Sequence, residues 1–94
     1  MGSRRSKLEL IFDILSAIQN KGGQIKPTHL MYKSNLSHKL LNHYLEGLIE
    51  KDMISIIDIT NKKSISKMVV ITDVGLGFLS EFRKMREFTD SFGL

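Results

Sequence analysis

A chain of 94 residues, 41% hydrophobic and 26% charged, has material for one hydrophobic core, which excludes a two-domain enzyme, a disordered chain and a fibrous repeat. It contains no cysteine, so disulfide staples, cysteine zinc sites and thiol nucleophiles are excluded together. Fourteen basic residues against ten acidic give a net charge of +4, unevenly spread: through His43 seven basic residues face two acidic ones, whereas the remainder carries seven and eight. That balance points to a polyanionic partner.

Met1-Gly2-Ser3 matches a myristoylation pattern in form and a vector scar in composition, and residues 1–4 are read as a flexible tail or scar. No apolar run approaches the roughly 20 residues of a membrane span, so the chain reads as a cytoplasmic protein with no membrane partner. Over residues 5–20, Leu8, Ile11, Phe12, Leu15 and Ile18 recur at steps of three and four, the inner face of a first helix. Lys21-Gly22-Gly23 ends it, because glycine takes the left-handed conformation readily. Ile25 sits between polar neighbours and suits a short edge bridge to a later hairpin. Thr28 is the expected N-cap of a short second helix through Ser34, with Leu30 and Met31 inward and Tyr32 and Lys33 outward.

Ser34-Asn35-Leu36 reads as a sharp break, with Asn35 suited to a positive φ. Ser37 then caps a third helix from His38 to Lys51. Leu41, Tyr44, Leu45 and Leu48 share its inner face, and Lys39, His43, Glu46 and Glu50 the opposite one. Residues 53–59 and 67–71 are rich in β-branched side chains and flank a polar connection, giving a hairpin with Lys62 and Lys63 near its tip and Lys67 beside them. Thr72 caps a last helix that starts weakly at Gly75 and Gly77. It carries Val74, Phe78, Met85, Phe88 and Phe92 as a partial heptad, broken at Glu81, with Leu79 and Phe82 beside the stripe. Helical through Phe92, it would be about 30 Å long.

A helix-turn-helix followed by a basic hairpin predicts a mainly helical α+β fold, the winged helix-turn-helix: a three-helix core, a β-hairpin wing and a C-terminal dimerisation helix. Residues 5–72 would form the DNA-binding domain and 73–94 the dimerisation helix. The run from Lys26 to Ser37, with Tyr44-Leu45, Leu48-Ile49-Glu50-Lys51 and the later Ile71-Thr72-Asp73-x-Gly75-x-x-Phe78-Leu79, resembles the small archaeal winged-helix DNA-binding proteins of the ArnR-like and Sulfolobus-type group. The resemblance covers residues 7–82. It implies a DNA-binding homodimer whose C-terminal helices pair as an antiparallel coiled coil.

In such a motif Ser37, His38, Lys39, Asn42 and His43 meet base edges, although the same residues also suit a merely solvated face. Asn42 has the paired donor and acceptor that adenine needs, and Lys39 reaches guanine or a phosphate. Thr28, Tyr32, Lys33, Lys62 and Lys63 are expected on the backbone phosphates. Arg4 and Arg5 fall in the tail, either a basic arm for a minor groove or a solubilising end. Phe78, Phe82, Met85, Phe88 and Phe92 are expected at a homodimer interface.

The expected function is therefore sequence-specific binding of double-stranded DNA by a nucleoid-associated transcriptional regulator. The alternatives are a non-specific architectural DNA binder and a protein–protein interaction module. His29, His38 and His43 form no metal-ligand spacing with carboxylates, and neither a phosphate-cradling glycine loop nor a nucleophile triad is present. No enzyme, metal or cofactor is expected, and the pattern points to no small-molecule ligand.

Overall fold

The structure, a computed structural model, describes residues 5–94. The tail expected over residues 1–4, with Arg4 of the basic arm, lies outside the described residues. The chain runs α1 (Lys7–Asn20), β1 (Gln24–Ile25), α2 (Pro27–Ser34), α3 (His38–Glu50), β2 (Ile54–Thr60), β3 (Ile65–Ile71) and α4 (Asp73–Ser91).

A capping box starts α1: the Glu9 amide donates to Ser6 Oγ at 3.1 Å and the Ser6 amide to Glu9 Oε1 at 2.9 Å. The bond from the Ser6 backbone, with that from its side chain, holds the Glu9 carboxyl below the usual carboxylate range. Ile11, Ile14, Leu15 and Ile18 are buried. Leu8, expected on that inner face, is 51% exposed, because it sits in the first turn of the helix, ahead of the buried run.

Arg5 is not part of a tail. Its guanidinium pairs with Asp13 at 2.9 Å and donates to the Ser34 carbonyl at 2.9 Å and the Asn35 carbonyl at 3.3 Å. The start of α1 is thus fastened to the end of α2.

Lys26, not Thr28, is the N-cap of α2, and Pro27 is its first helical residue. Proline has no amide hydrogen to lose there, its ring fixes a helical φ, and it holds Lys26 extended. Thr28 consequently lies inside the first turn. Asn35 adopts the left-handed conformation at φ 55°, ψ 47°, as its place in the break predicts. Leu30, Leu41 and Leu45 are buried where α2 and α3 meet the core, and Leu36 is partly so.

The sheet has the antiparallel order β1-β3-β2, with Ile25 opposite Val69 and a full β2–β3 ladder from Ile54↔Ile71 to Thr60↔Ile65. The strands run nearer to the tip than the sequence pattern suggested, because pairing propagates as far as Ile65. Only residues 61–64 connect them, closed by the Asn61 amide on the Ser64 carbonyl at 2.7 Å.

The cap of α4 is Thr72, whose Oγ1 accepts from the Gly75 amide at 3.2 Å and donates to the Asp52 carbonyl. The helix is continuous for 19 residues, so the interruption expected at Glu81 lies in the apolar stripe and not in the backbone. Gly75, which looked like a weak start, is required there: a β-carbon on it would collide with the Met53 carbonyl oxygen and lie 2.8 Å from Ile71 Cγ1.

The first half of α4 packs on α1. Phe82 stacks on Phe12 with centroids 4.7 Å apart, Phe78 stacks on Phe82 at 5.8 Å, and Arg83 reaches Gln19 Oε1 at 2.9 Å. Arg86 lies over the Phe12 ring at 5.6 Å, so α4 advances as α1 recedes and the two helices are antiparallel. Beyond Phe82 the helix is almost wholly exposed, and the molecule measures 54 Å along its longest axis. No described helix is long and apolar enough to cross a membrane.

Candidate nucleic-acid interface

The buried Leu41, Leu45 and Leu48 fix which way α3 faces. With that stripe against the core, His38, Lys39, Asn42 and His43 are all exposed together, while Glu46 and Glu50 occupy the far end of the same outer side. Ser37 caps the helix: its Oγ accepts the Leu40 amide at 3.1 Å, so that oxygen is already engaged within the fold. Asn42 Nδ2 lies 3.4 Å from His38 Nδ1, one helical turn back, which lines the two up along the outer face. The His43 ring meets Tyr44 edge-on at 5.7 Å.

On α2, α3 and the wing the structure leaves cations without carboxylate partners. Among the described residues, no carboxylate pairs with Lys33, Lys39, Lys62 or Lys63; the ion pairs are Arg5–Asp13, Lys67–Asp58 and Lys84–Glu81. Lys67, grouped with the wing lysines by sequence, is instead bound to Asp58 directly across the ladder at 3.0 Å. Lys62 and Lys63 are the two central residues of the hairpin connection. Thr28 is exposed in the first turn of α2, and Tyr32 further along it is 72% exposed.

The residues expected at a dimer interface divide into two groups. Phe82 is only 8% exposed and Phe78 packs against the core, so both serve the chain's own interior. Met85, Phe88 and Phe92 remain outward, the latter two 63% and 67% exposed with rings 5.0 Å apart. No group of three or more histidines and carboxylates suited to a metal occurs among the described residues.

Sequence reasoning missed two features. The Arg5 clamp joins residues 29 and 30 positions apart, beyond any local pattern. An open groove between α1 and α2, lined by Ser16, Lys21 and Lys33 among others, arises only when the helices pack.

A family model described as a winged helix-turn-helix matches residues 4–90. The chain belongs to the winged helix-turn-helix family. Among solved structures, this winged helix is similar to Sso10a-2, a DNA-binding protein from Sulfolobus solfataricus, with a TM-score of 0.71 and 25% identity over 95% of this chain and 90% of that one. It shares its fold with diamide-treated YodB of B. subtilis (TM-score 0.75, 17% identity, 97% and 83% of the two chains). The oxidized form of MarR from E. coli shares it as well (TM-score 0.63, 20% identity, 86% and 60%). An uncharacterized protein of Methanocaldococcus jannaschii is 37% identical over 51 residues, 54% of this chain. The match spans 23% of that relative's length. The resemblance to small archaeal winged-helix proteins drawn from the Lys26–Ser37 run therefore agrees with the family and with Sso10a-2.

Proposed function

We propose that this winged helix binds duplex DNA as a homodimeric transcriptional regulator, with α3 in the major groove and the wing on flanking phosphates. The observation that carries the reading is the set of unpaired cations, Lys39 on α3 and Lys62 and Lys63 at the wing tip, together with the exposed His38–Asn42 pair on α3. Side chains with no carboxylate to neutralise them are free for phosphate oxygens, and an outward asparagine on such a helix offers adenine both a donor and an acceptor. The likeness to Sso10a-2, a DNA-binding protein, supports the same reading.

Residues 5–72 form the DNA-binding unit of this proposal, and residues 73–94 join two copies. Ser37 positions α3; His38, Lys39, Asn42 and His43 face the bases; Thr28, Tyr32 and Lys33 serve the backbone. Met85, Phe88 and Phe92 carry the dimer contact, backed by Phe78 and Phe82 from within. Glu46 and Glu50 repel phosphate and confine deep contact to the first two turns of α3.

Selection of bound duplexes from a random pool tests this directly. An enriched inverted repeat supports a sequence-specific dimer. Binding without enrichment, with affinity falling steeply in salt, indicates an architectural binder. Absence of duplex binding leaves the protein-interaction module.

A further inference from the structure

His38 and Asn42 stand one helical turn apart, so α3 carries both side chains on its outer face, opposite the buried Leu41 and Leu45. His38 is the first residue of the helix, where the Ser37 cap and the Leu41 amide on the Ser37 carbonyl at 2.9 Å hold the turn. Asn42 Nδ2 lies 3.4 Å from His38 Nδ1. An amide NH2 has hydrogens and no lone pair to offer, so in this contact the neutral imidazole accepts at Nδ1 and carries its proton on Nε2.

The consequence falls on Asn42. Its NH2 has two hydrogens, and giving one to His38 leaves the other beside Oδ1. An acceptor and a donor side by side are what adenine N6 and N7 require. An unrestrained asparagine amide turns over about χ2, which exchanges the two atoms and sets acceptor against acceptor at the same base. The His38 lone pair selects one of the two orientations. The residues flanking it on the outer face do not: Lys39 has donors only, and the His43 ring turns edge-on to Tyr44.

We propose that His38 is a positioning residue for base reading: it accepts from Asn42 Nδ2 and so holds Oδ1 toward the amino group of adenine and the remaining amide hydrogen toward N7. His38 itself specifies no base. This role rests on the DNA-binding reading and deepens it. In water so long a hydrogen bond is weak, and it strengthens where a duplex excludes solvent.

The test uses the duplex enriched by random-pool selection and its three variants at the base pair where Asn42→Ala loses its preference. His38→Ala should cut the preference for adenine there about fivefold, part of what a bidentate contact supplies. His38→Gln, which again offers an acceptor four residues back, should restore it. His38→Lys, with donors only, should bind every duplex at least as tightly and still lose the preference. In an Asn42→Ala background, His38→Ala should cost no further preference. In the free chain, the side-chain NH2 resonances of Asn42 should move in His38→Ala and far less in His38→Gln, with the Leu41 and Leu45 amides in place.

Undiminished preference in His38→Ala, or an equal loss in the Asn42→Ala background, overturns the positioning role and leaves the DNA-binding reading standing. Unmoved NH2 resonances in His38→Ala overturn it as well, whatever the duplex results. A parent chain that enriches no sequence overturns the base-reading function, and this role with it.

Discussion

Arg5 bridges to Asp13 at 2.9 Å while the same guanidinium nitrogen donates to the Ser34 carbonyl, so one side chain ties the first helix to the last turn of the second. The partners are half-buried, which moderates the ion pair but leaves the backbone carbonyls in need of a donor. Arg5→Ala is expected to destabilise the protein by about 1–2 kcal/mol. Lys7→Ala, lacking such bonds, should stay within about 0.5 kcal/mol. Urea unfolding of both variants checks the difference.

Gly75→Ala should be among the most damaging small substitutions in the chain. The methyl group would meet the Met53 carbonyl, just ahead of β2, and Ile71 at the end of β3, and neither is the flexible end of a long side chain. A loss of at least about 2 kcal/mol is expected. Gly77→Ala, with open space around its position, should hold or raise the thermal midpoint.

Lys62→Ala combined with Lys63→Ala should weaken all duplexes alike and lower the slope of log affinity against log salt by about 2. Stability should be unchanged, since neither residue makes a folded-state ion pair. Affinity measured across a salt series reads this, and an unaltered slope would remove the wing from the interface.

Asn42→Ala should cost about 1–3 kcal/mol on the preferred duplex and little on others. Equal weakening on every sequence would make α3 a positioning helix. Competition between selected and scrambled duplexes separates the two outcomes.

Phe88→Glu is expected to give the mass of a single chain by light scattering at micromolar concentration while the parent gives twice that mass. Its circular dichroism should be unaltered, because the side chain is 63% exposed. Phe82→Glu, which places a charge against Phe12, should unfold the domain and so report on stability instead.

The fold was legible wherever the signal was local. Glycines 22 and 23, Asn35, Ser37 and Thr72 each declare a boundary by their own conformational or hydrogen-bonding chemistry, and all five lie at the expected ends. Thr28 misled because Pro27 is the stronger start signal and displaces the cap to Lys26. On α4 a single apolar stripe serves two purposes, and periodicity does not separate them: Phe78 and Phe82 pack inward, Phe82 on Phe12 of α1, whereas Met85 and Phe88 stay exposed. On the wing, Lys67 was indistinguishable from Lys62 and Lys63 until the register set Asp58 opposite it. The outward residues of α3 were readable as a group, because the leucine stripe that buries one side exposes the other.

The Phe12–Phe82 stack has a mechanical corollary. Two flat rings pressed together, steadied by Arg83 and Arg86 above Phe12, set the angle at which the last helix leaves the body. In a pair joined along that helix, the gap between the two reading heads is then a fixed calliper. Half-sites moved apart by a single base pair, with every contacted base retained, would no longer be gripped by both at once.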